Sequence, residues 1–448
     1  MKKTIKLILI FGLSLVSLFS YAEFNPRLLI DSDPDMEVVC PLHELKKQPN
    51  QTQIKAIATQ HSEWISTYKL DNPITWENLT ATQIKEILAD PRRADFSQTD
   101  LSGIQFTDLH LKGANFKGAR LNNASLNQVD LSFSDLTCAS FTAAQINQSK
   151  FNHAHMIKTR MGQATVKQSE FKMANLTHAD LEAANLSENS FHRAKLVSAH
   201  LVRGQFKSSD LTDADFTLAK VDFANFSHSI WELESGTLPE AHSAARMNNL
   251  SALSYLDSPG ALIELRESFA TAGMDTAQRE VTYALNKTKN EQQANEGIQG
   301  SLTAGFNFLF FDLTSEYGRS PARPLKIIFA LIFIFALPYY LAIRRADHNA
   351  IWRVWNPERI HQFQGGAPEK IAETGIRALL FALYFSTMSA FRLGWRDINV
   401  GDWLSNIQHH EYNLQSTGWV RSLSGIQSVI SMYLLALWIL TFFTTPFG

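Results

Sequence analysis

The stretch "ANLTHADLEAANL" (residues 174–186) repeats an apolar side chain at every fifth position. The same period runs without interruption from Phe96 to Trp231, through 28 consecutive positions that are all apolar. Neither the 3.6-residue period of an α-helix nor the two-residue period of a β-strand generates such a series. The sequence therefore predicts a solenoid built from five-residue repeats.

A smaller side chain accompanies the repeat, two residues before most of the apolar positions. Large and small side chains are therefore expected to alternate toward the interior of the solenoid. These small residues are Ala94, Ala114, Ala119, Ala124, Ala139, Ala144, Ala154, Ala164, Ala174, Ala179, Ala184, Ala194, Ala199, Gly204, Ala214, Ala219 and Ala224.

The opening stretch and "ANFKGARLNNASL" (residues 114–126) match the motif A-(D/N)-L-X-X and resemble the pentapeptide-repeat family. In that family four pentapeptides make one turn of a right-handed quadrilateral β-helix. The resemblance implies a mainly β fold with about seven coils over residues 94–231. Such a solenoid exposes unpaired strand edges at both ends, which need a cover.

Helical patterns flank the predicted solenoid on both sides. We expect residues 23–93 to form an N-terminal helical cap region, because residues 52–70 and 80–90 show helical periodicity just before the first coil. Residues 232–300 are predicted to be a linker with a helical hairpin that turns at Gly273.

The charge balance of the solenoid argues against DNA mimicry and against nucleic-acid binding. Residues 94–231 contain 13 Lys and Arg and 13 Asp and Glu, and the whole chain has a net charge of −2. Pentapeptide proteins that imitate DNA to bind gyrase are strongly acidic and cytoplasmic, so the resemblance does not extend to them. A near-neutral chain also gives no reason to expect nucleic-acid binding.

The histidines and other reactive side chains form no recognisable site in the sequence. Seven histidines occur between residues 94 and 231, but no group of three ligands stands at metal spacing. The chain contains no nucleophile elbow, phosphate loop or zinc-hydrolase motif. We therefore expect no enzyme activity, no cofactor and no metal.

The N-terminus predicts export. Residues 1–22 combine Lys2 and Lys3, an apolar run at residues 7–19 and small residues before Glu23, as in a secretory signal peptide. An uncleaved membrane anchor is the alternative, and it would export the following domain as well. Cys40 and Cys138 could pair in an oxidising compartment or remain two independent thiols.

The C-terminal part, residues 301–448, is predicted to be a membrane domain. Two apolar segments, at about residues 325–343 and 426–444, are long enough to cross a bilayer, which makes membrane lipid a partner. A third segment, at about residues 376–391, is short for crossing and suited to re-entering. Gln427, Ser428 and Ser431 suggest that one side of the second span faces protein or water.

The stretch "ALYFSTMSAFRLGWRDI" (residues 382–398) resembles the pore helix and filter of the two-transmembrane ion-channel family, and "SEYGRSPARPLK" (residues 315–326) resembles the lead-in to its first span. In that family the filter reads T-(V/L)-G-Y-G-D. The positions retained here are the aliphatic residue, the first glycine, the aromatic residue and the acid, namely Leu393, Gly394, Trp395 and Asp397.

Two arginines interrupt this filter-like motif. Arg392 stands where the resemblance implies the filter threonine, and Arg396 replaces the second glycine. Arginine offers no acceptor and adds a charge that repels potassium. Three interpretations follow: a non-conducting relic, an anion-tolerant pore, or a shifted filter in which the arginines pair with Asp397 and Asp402.

Two classes of function remain open from the sequence. The first is a bacterial inner-membrane scaffold whose exported solenoid binds an unknown protein partner in the periplasm. The second is an oligomeric ion channel, not selective for potassium, that the solenoid gates or assembles as a homo-oligomer. Arg421 precedes the second span and no Lys or Arg follows it, which favours an external C-terminus.

Overall fold

The computed structural model describes residues 38, 40, 45–70, 81–234, 236–345, 350–355, 368–391 and 412–443. The predicted signal peptide, residues 1–22, lies outside them. The chain divides into two units: one comprises Met1–Gln205 and Asp213–Val221, and the other Phe206–Thr212 and Asp222–Gly448.

In the first unit, parallel backbone pairing recurs at a separation of 20 residues. Short strands β1 (Gln105–Thr107), β2 (Ser125–Asn127), β3 (Gln145–Asn147) and β4 (Thr165–Lys167) pair in sequence order. Isolated bridges follow the same spacing on the other faces. One such column contains Asp95, Asn115, Asp135, His155, Asn175, Lys195 and Asp215. One coil therefore contains four pentapeptides.

The fifth-position side chains form the core of this β-helix. Phe151, Phe171 and Phe191, which lie 20 residues apart, are fully buried or nearly so. Their rings stack with centroid distances of 4.8 and 4.9 Å. Small side chains stack in another column: Ala174 and Ala194, two residues before the buried Leu176 and Leu196, are also buried. Side chains of the same size thus stack on one another from coil to coil.

The Asp or Asn of the motif closes the turn of its own repeat. The Thr137 amide donates to Asp135 Oδ1 at 3.0 Å, and the Thr177 amide donates to Asn175 Oδ1 at 3.1 Å. The next residue of the repeat has a positive φ, as Cys138 does at 61°. A carboxylate or amide oxygen that accepts a backbone N–H two residues on stabilises such a turn.

One column replaces the small apolar residue by a polar one. The Val129 amide donates to Ser149 Oγ at 3.2 Å, the Ser149 amide to Ser169 Oγ at 3.1 Å, and the Ser169 amide to Asn189 Oδ1 at 2.8 Å. These side chains satisfy buried backbone donors, which would otherwise cost free energy. The Ser and Asn side chains in this column therefore have a structural role, which is to accept these backbone amides.

Helices α1 (Gln51–Tyr68) and α2 (Ala81–Leu88) precede the first coil. Asn50 begins α1 with a capping box that pairs it with Gln53. Trp64, Ile65 and Leu70 pack with Ile87, and Phe133 of the second coil contacts this cluster. Lys46 pairs in parallel with Thr99 and so adds one rung below the first coil.

His61 of α1 joins this region to the solenoid. Its ring is fully buried, accepts the Ala94 amide at Nδ1 over 3.0 Å, and lies with Nε2 3.1 Å from the Lys112 carbonyl oxygen. Nδ1 must therefore be unprotonated while Nε2 carries the hydrogen. Burial lowers the pKa of His61 from 6.5 to about 4.

The second unit begins with the remaining repeats and covers their last strand edge. Asn225 pairs with Asn248 and Ile230 pairs with Ser254, both in parallel, so residues 246–254 add a rung after the final repeat. Helix α3 (Ala241–Ala244) lies just before this segment, and a 3₁₀ turn at Leu250–Ala252 lies within it.

A helical hairpin follows. Helices α4 (Gly260–Thr271) and α5 (Asp275–Ala294) pack together around Gly273, whose φ of 68° suits glycine. Helix α6 (Gly297–Asn307) folds back on α5 and continues through a π-helical turn (Phe308–Asp312) into the short α7 (Leu313–Ser315).

Three apolar helices complete the unit: α8 (Arg323–Arg344), α9 (Gly375–Ala390) and α10 (Gly418–Phe443). The first and last are long and apolar enough to cross a membrane. Helix α10 begins at Gly418, before the predicted apolar span that starts at about residue 426, and its first turns pack against α8. Val420 lies fully buried in a cluster with Tyr339 and Ala342 of α8.

A small antiparallel sheet, for which the sequence shows no strand pattern, joins these helices. Strand β5 (Ile351–Trp355) pairs with β6 (Glu369–Lys370) on one side and β7 (Tyr412–Ser416) on the other. Helix α8 ends shortly before β5, α9 starts shortly after β6, and α10 starts directly after β7. The sheet therefore holds one end of each of the three helices.

The buried histidine predicts an acid-sensitive N-terminal region. Because the folded pKa of His61 is about 4 and its ordinary value is 6.5, its contribution is complete above pH 6.5 and is lost as the pH falls toward 4. The full shift corresponds to about 3 kcal/mol, or roughly a 300-fold loss of protection. Hydrogen exchange of α1 amides, corrected for intrinsic rates, measures this loss.

Two variants control for this effect. His61→Phe should reduce α1 protection at pH 7 and remove most of its pH dependence, whereas His192→Gln, at a partly exposed position, should behave like the wild type. An equal pH dependence in His61→Phe and the wild type would contradict the assignment.

Candidate protein-binding surface and membrane module

The outer faces of the solenoid pair their charges between coils. Asp100 and Arg120 lie 3.7 Å apart, and Arg193 and Asp213 lie 3.2 Å apart, each pair separated by 20 residues. The Asp100–Arg120 pair is half-exposed and contributes at most about 1 kcal/mol, whereas Asp213 of the second pair is buried. Their main effect is a surface without a strong field of either sign, which does not favour nucleic acid.

A cleft opens on the solenoid beside α2. It has a volume of about 410 Å³, within the usual range for ligand pockets. The Phe133 ring stacks on the His153 ring at 4.6 Å. The lining residues are Leu88, Arg93, Phe133, Asp135, Thr137, His153 and His155.

Arg93 is the charged anchor of this cleft. Its Nε donates to the Gly113 carbonyl oxygen at 2.6 Å, which fixes the guanidinium against the first coil. Burial lowers the pKa of Arg93, while the negative charges of Asp135 and Asp95 oppose that shift. Arginine and aromatic rings dominate the energetics of protein interfaces, so the cleft is the best candidate for a binding surface on this unit.

Cys40 and Cys138 are joined by a disulfide with their Cα atoms 5.5 Å apart. Lys158 Nζ also donates to the Val38 carbonyl oxygen at 2.7 Å. These two contacts tie the segment before α1 to the side of the solenoid, next to Thr137 of the cleft. A disulfide of this kind persists in an oxidising compartment.

The coil brings together three potential metal ligands that the sequence spacing did not reveal. Asp180, Glu182 and His200 place one ligand atom each within 4.8 Å of the others. Asp180 Oδ1 already accepts the Glu182 amide at 3.1 Å, and the three side chains are partly or fully exposed. This geometry is typical of a solvated face, so we assign it no metal.

In the C-terminal part of the chain, a buried polar network connects the three apolar helices α8, α9 and α10. The Tyr339 hydroxyl of α8 donates to Gln427 Oε1 of α10 at 2.9 Å. Gln427 Nε2 donates to the carbonyl oxygen and hydroxyl of Ser386 in α9, at 3.0 and 2.9 Å. The Ser386 hydroxyl donates to the Ile332 carbonyl oxygen at 2.7 Å. Every side chain in this network is fully buried.

The predicted polar side of α10 therefore faces protein in part. Gln427 and Ser431 are buried, whereas Ser428 is partly exposed. The filter-like residues lie outside the described part of the chain, which resumes at residue 412; they are Arg392, Leu393, Gly394, Trp395, Arg396 and Asp397. Asp402 lies outside it as well.

Comparison with known proteins identifies the repeats. A family model described as pentapeptide repeats matches eight copies, in residues 92–128, 124–163 and 169–201. The chain therefore carries a pentapeptide-repeat domain, the class that the 20-residue coil defines. No curated protein sequence matches the chain.

Similar solved structures include QnrB1, described as a plasmid-mediated fluoroquinolone resistance protein, with 20% identity and a TM-score of 0.31 over 40% of this chain and 84% of that one. HetL from the cyanobacterium Nostoc has 21% identity and a TM-score of 0.15 over 37% and 84%. A pentapeptide repeat protein from the Arabidopsis thaliana thylakoid lumen has 32% identity and a TM-score of 0.15 over 20% and 61%.

The polar network predicts the effect of removing its central amide. Gln427→Leu leaves the Tyr339 hydroxyl and the Ser386 carbonyl without their partner, which should cost about 1–2 kcal/mol. Ile426→Leu, at an exposed neighbouring position, should cost much less. Thermal unfolding of the purified protein in detergent compares the two. A Gln427→Leu variant as stable as Ile426→Leu would show that the network does not hold the helices together.

Proposed function

We propose that the chain is a membrane-anchored scaffold whose exported solenoid binds a protein partner. The observation that carries the anchoring is the exposure of the two long apolar helices. Only 33% of the most apolar stretch of α8 and 28% of that of α10 are buried. A core helix of a water-soluble domain would bury most of such a stretch, whereas a lipid-facing helix leaves it exposed.

We further propose that α9 enters the membrane and returns to the same side. Helix α9 starts shortly after β6, and the chain comes back to the same sheet at β7. Ala390, at the end of α9, packs with Ile328 near the start of α8 and Leu434 of α10. The segment therefore runs from the sheet into the helical module, and both of its ends belong to the sheet side.

Two observations support export of the solenoid. The disulfide between Cys40 and Cys138 suits an oxidising compartment such as the periplasm. Basic residues are also more numerous on the sheet side, which the positive-inside rule makes cytoplasmic. That side carries Arg344, Arg345, Arg353, Lys370, Arg377 and Arg421, against Arg319, Arg323 and Lys326 before α8.

The alternative function is an ion channel, in which α9 acts as a pore helix of a homo-oligomer. The return of the chain to one sheet is the observation that favours it. Arg392 and Arg396 would place positive charges near the axis of such an oligomer, so it would not select potassium. A potassium-selective current from reconstituted protein would overturn this part of the proposal.

The scaffold role can be tested on intact spheroplasts with a membrane-impermeant, thiol-reactive crosslinker. The variant His155→Cys places the reactive group in the cleft, and Lys195→Cys places it in the same column two coils further on, outside the cleft lining. Because the native cysteines are paired, only the new thiol should react. We expect a discrete adduct with a second protein from His155→Cys and none from Lys195→Cys.

The outcomes separate the parts of the proposal. Reaction of both variants only after the membrane is opened would contradict the external orientation. Reaction in intact spheroplasts with no adduct from either variant, or equal adducts from both, would contradict partner binding at the cleft.

A further inference from the structure

The continuous helix formed by α6, the π turn and α7 presents an apolar stripe that no other described residue covers. Ile298 and Leu302 are 84% and 71% exposed, and Phe306, Leu309 and Leu313 are also exposed. These positions recur at intervals of three and four residues, so they share one side of the helix. Ala304 lies on the opposite side and is buried against α5.

The same helix contacts one of the two proposed membrane spans. The Tyr433 hydroxyl of α10 donates to the Phe310 carbonyl oxygen, and the two rings meet edge to face at 5.5 Å. Tyr433 packs on the cluster that contains Ile328 of α8. Helix α7 ends at Ser315 and α8 begins shortly afterwards at Arg323, so this helix leads directly into the first proposed span.

A helix directly before a membrane span lies close to the boundary between lipid headgroups and acyl chains. Helix α8 has 22 residues, about 33 Å of helix, which is close to the thickness of the hydrocarbon core. A helix that rests on a membrane buries its apolar side about 5–10 Å into that boundary. Residues 297–311 contain no charged side chain, so attraction to anionic lipid is not needed to hold them there.

The residues between the apolar stripe and α8 are charged, and their charges form ion pairs. Arg319 Nε lies 2.8 Å from Glu280 Oε1 of α5, and Arg323 contacts Glu316. Burial raises the pKa of Asp312, whose carboxyl group also interacts with Tyr283. The segment between the apolar stripe and α8 therefore offers few unpaired charges, as suits a connection that crosses from the interface into the span.

From these observations we propose that residues 297–315 form an interfacial membrane-binding face that rests on the lipid surface at the entry of α8. The face binds the apolar boundary of the bilayer and requires no specific lipid headgroup. It fixes the distance between the helical hairpin α4–α5 and the membrane. This inference rests on the proposed anchoring of α8 and α10 and assigns a further contact to the same membrane.

The test uses the full chain in phosphatidylcholine vesicles, with an environment-sensitive fluorophore on single introduced cysteines. Leu302→Cys probes the stripe, Phe333→Cys probes the exposed side of α8 near mid-span, and Lys289→Cys probes the exposed side of α5. Lipids carrying a nitroxide near the headgroup or deep in the acyl chain quench the probes according to depth. Phe306→Cys replaces Leu302→Cys if that variant fails to fold.

We expect the shallow nitroxide to quench the Leu302 probe about twofold more than the deep one, with the reverse order at Phe333 and little quenching at Lys289. Adding phosphatidylglycerol should not change the Leu302 result. A probe at Leu302 that is unquenched while Phe333 is quenched would overturn the interfacial face and leave the anchoring intact. If the Leu302 probe is unquenched but its emission is blue-shifted, the stripe is covered by a second copy of the chain or by another protein. An unquenched Phe333 would overturn the anchoring itself.

Discussion

Every inward side chain of the solenoid must fit a column that it shares with the residues 20 positions before and after it. The stacked rings of Phe151, Phe171 and Phe191 show this constraint directly. A close-packed interior transmits a misfit to its neighbours, so the size of each residue is set by the coils above and below. The five-residue period of the sequence is the consequence, since four such positions fill one coil.

The same stacking decides where the polar groups lie. In the column of Ser149, Ser169 and Asn189, each side chain accepts an amide from the preceding coil. At both ends the stacking must stop, and short segments add a final rung: Lys46 pairs with Thr99, and Asn248 pairs with Asn225. The solenoid is thereby left with lateral faces, and the cleft beside α2 lies on one of them.

The five-residue period was enough to predict a solenoid, because it appears in a single pass along the chain, whereas the coil of four repeats was inferred from the resemblance to the pentapeptide-repeat family. Contacts that depend on the 20-residue stacking were not visible in the same way: Asp180 meets His200 only through the coil. The sheet formed by β5, β6 and β7 was missed because its strands are short and lie far apart in the sequence. The filter-like residues, Arg392 to Asp397, carry no alternating or helical pattern, so their interpretation rested on resemblance alone.

The 20-residue stacking of side chains can be tested most directly by deletions within the solenoid. Deletion of residues 164–183 removes one full coil, and it should place Phe191 on Phe151 and Asn189 against Ser149. Deletion of residues 164–181 removes two residues fewer and shifts every later side chain out of its column. Circular dichroism and hydrogen exchange should show a folded solenoid for the first variant and loss of protection after residue 163 for the second. Equal protection in the two variants, or greater protection in the second, would contradict the account.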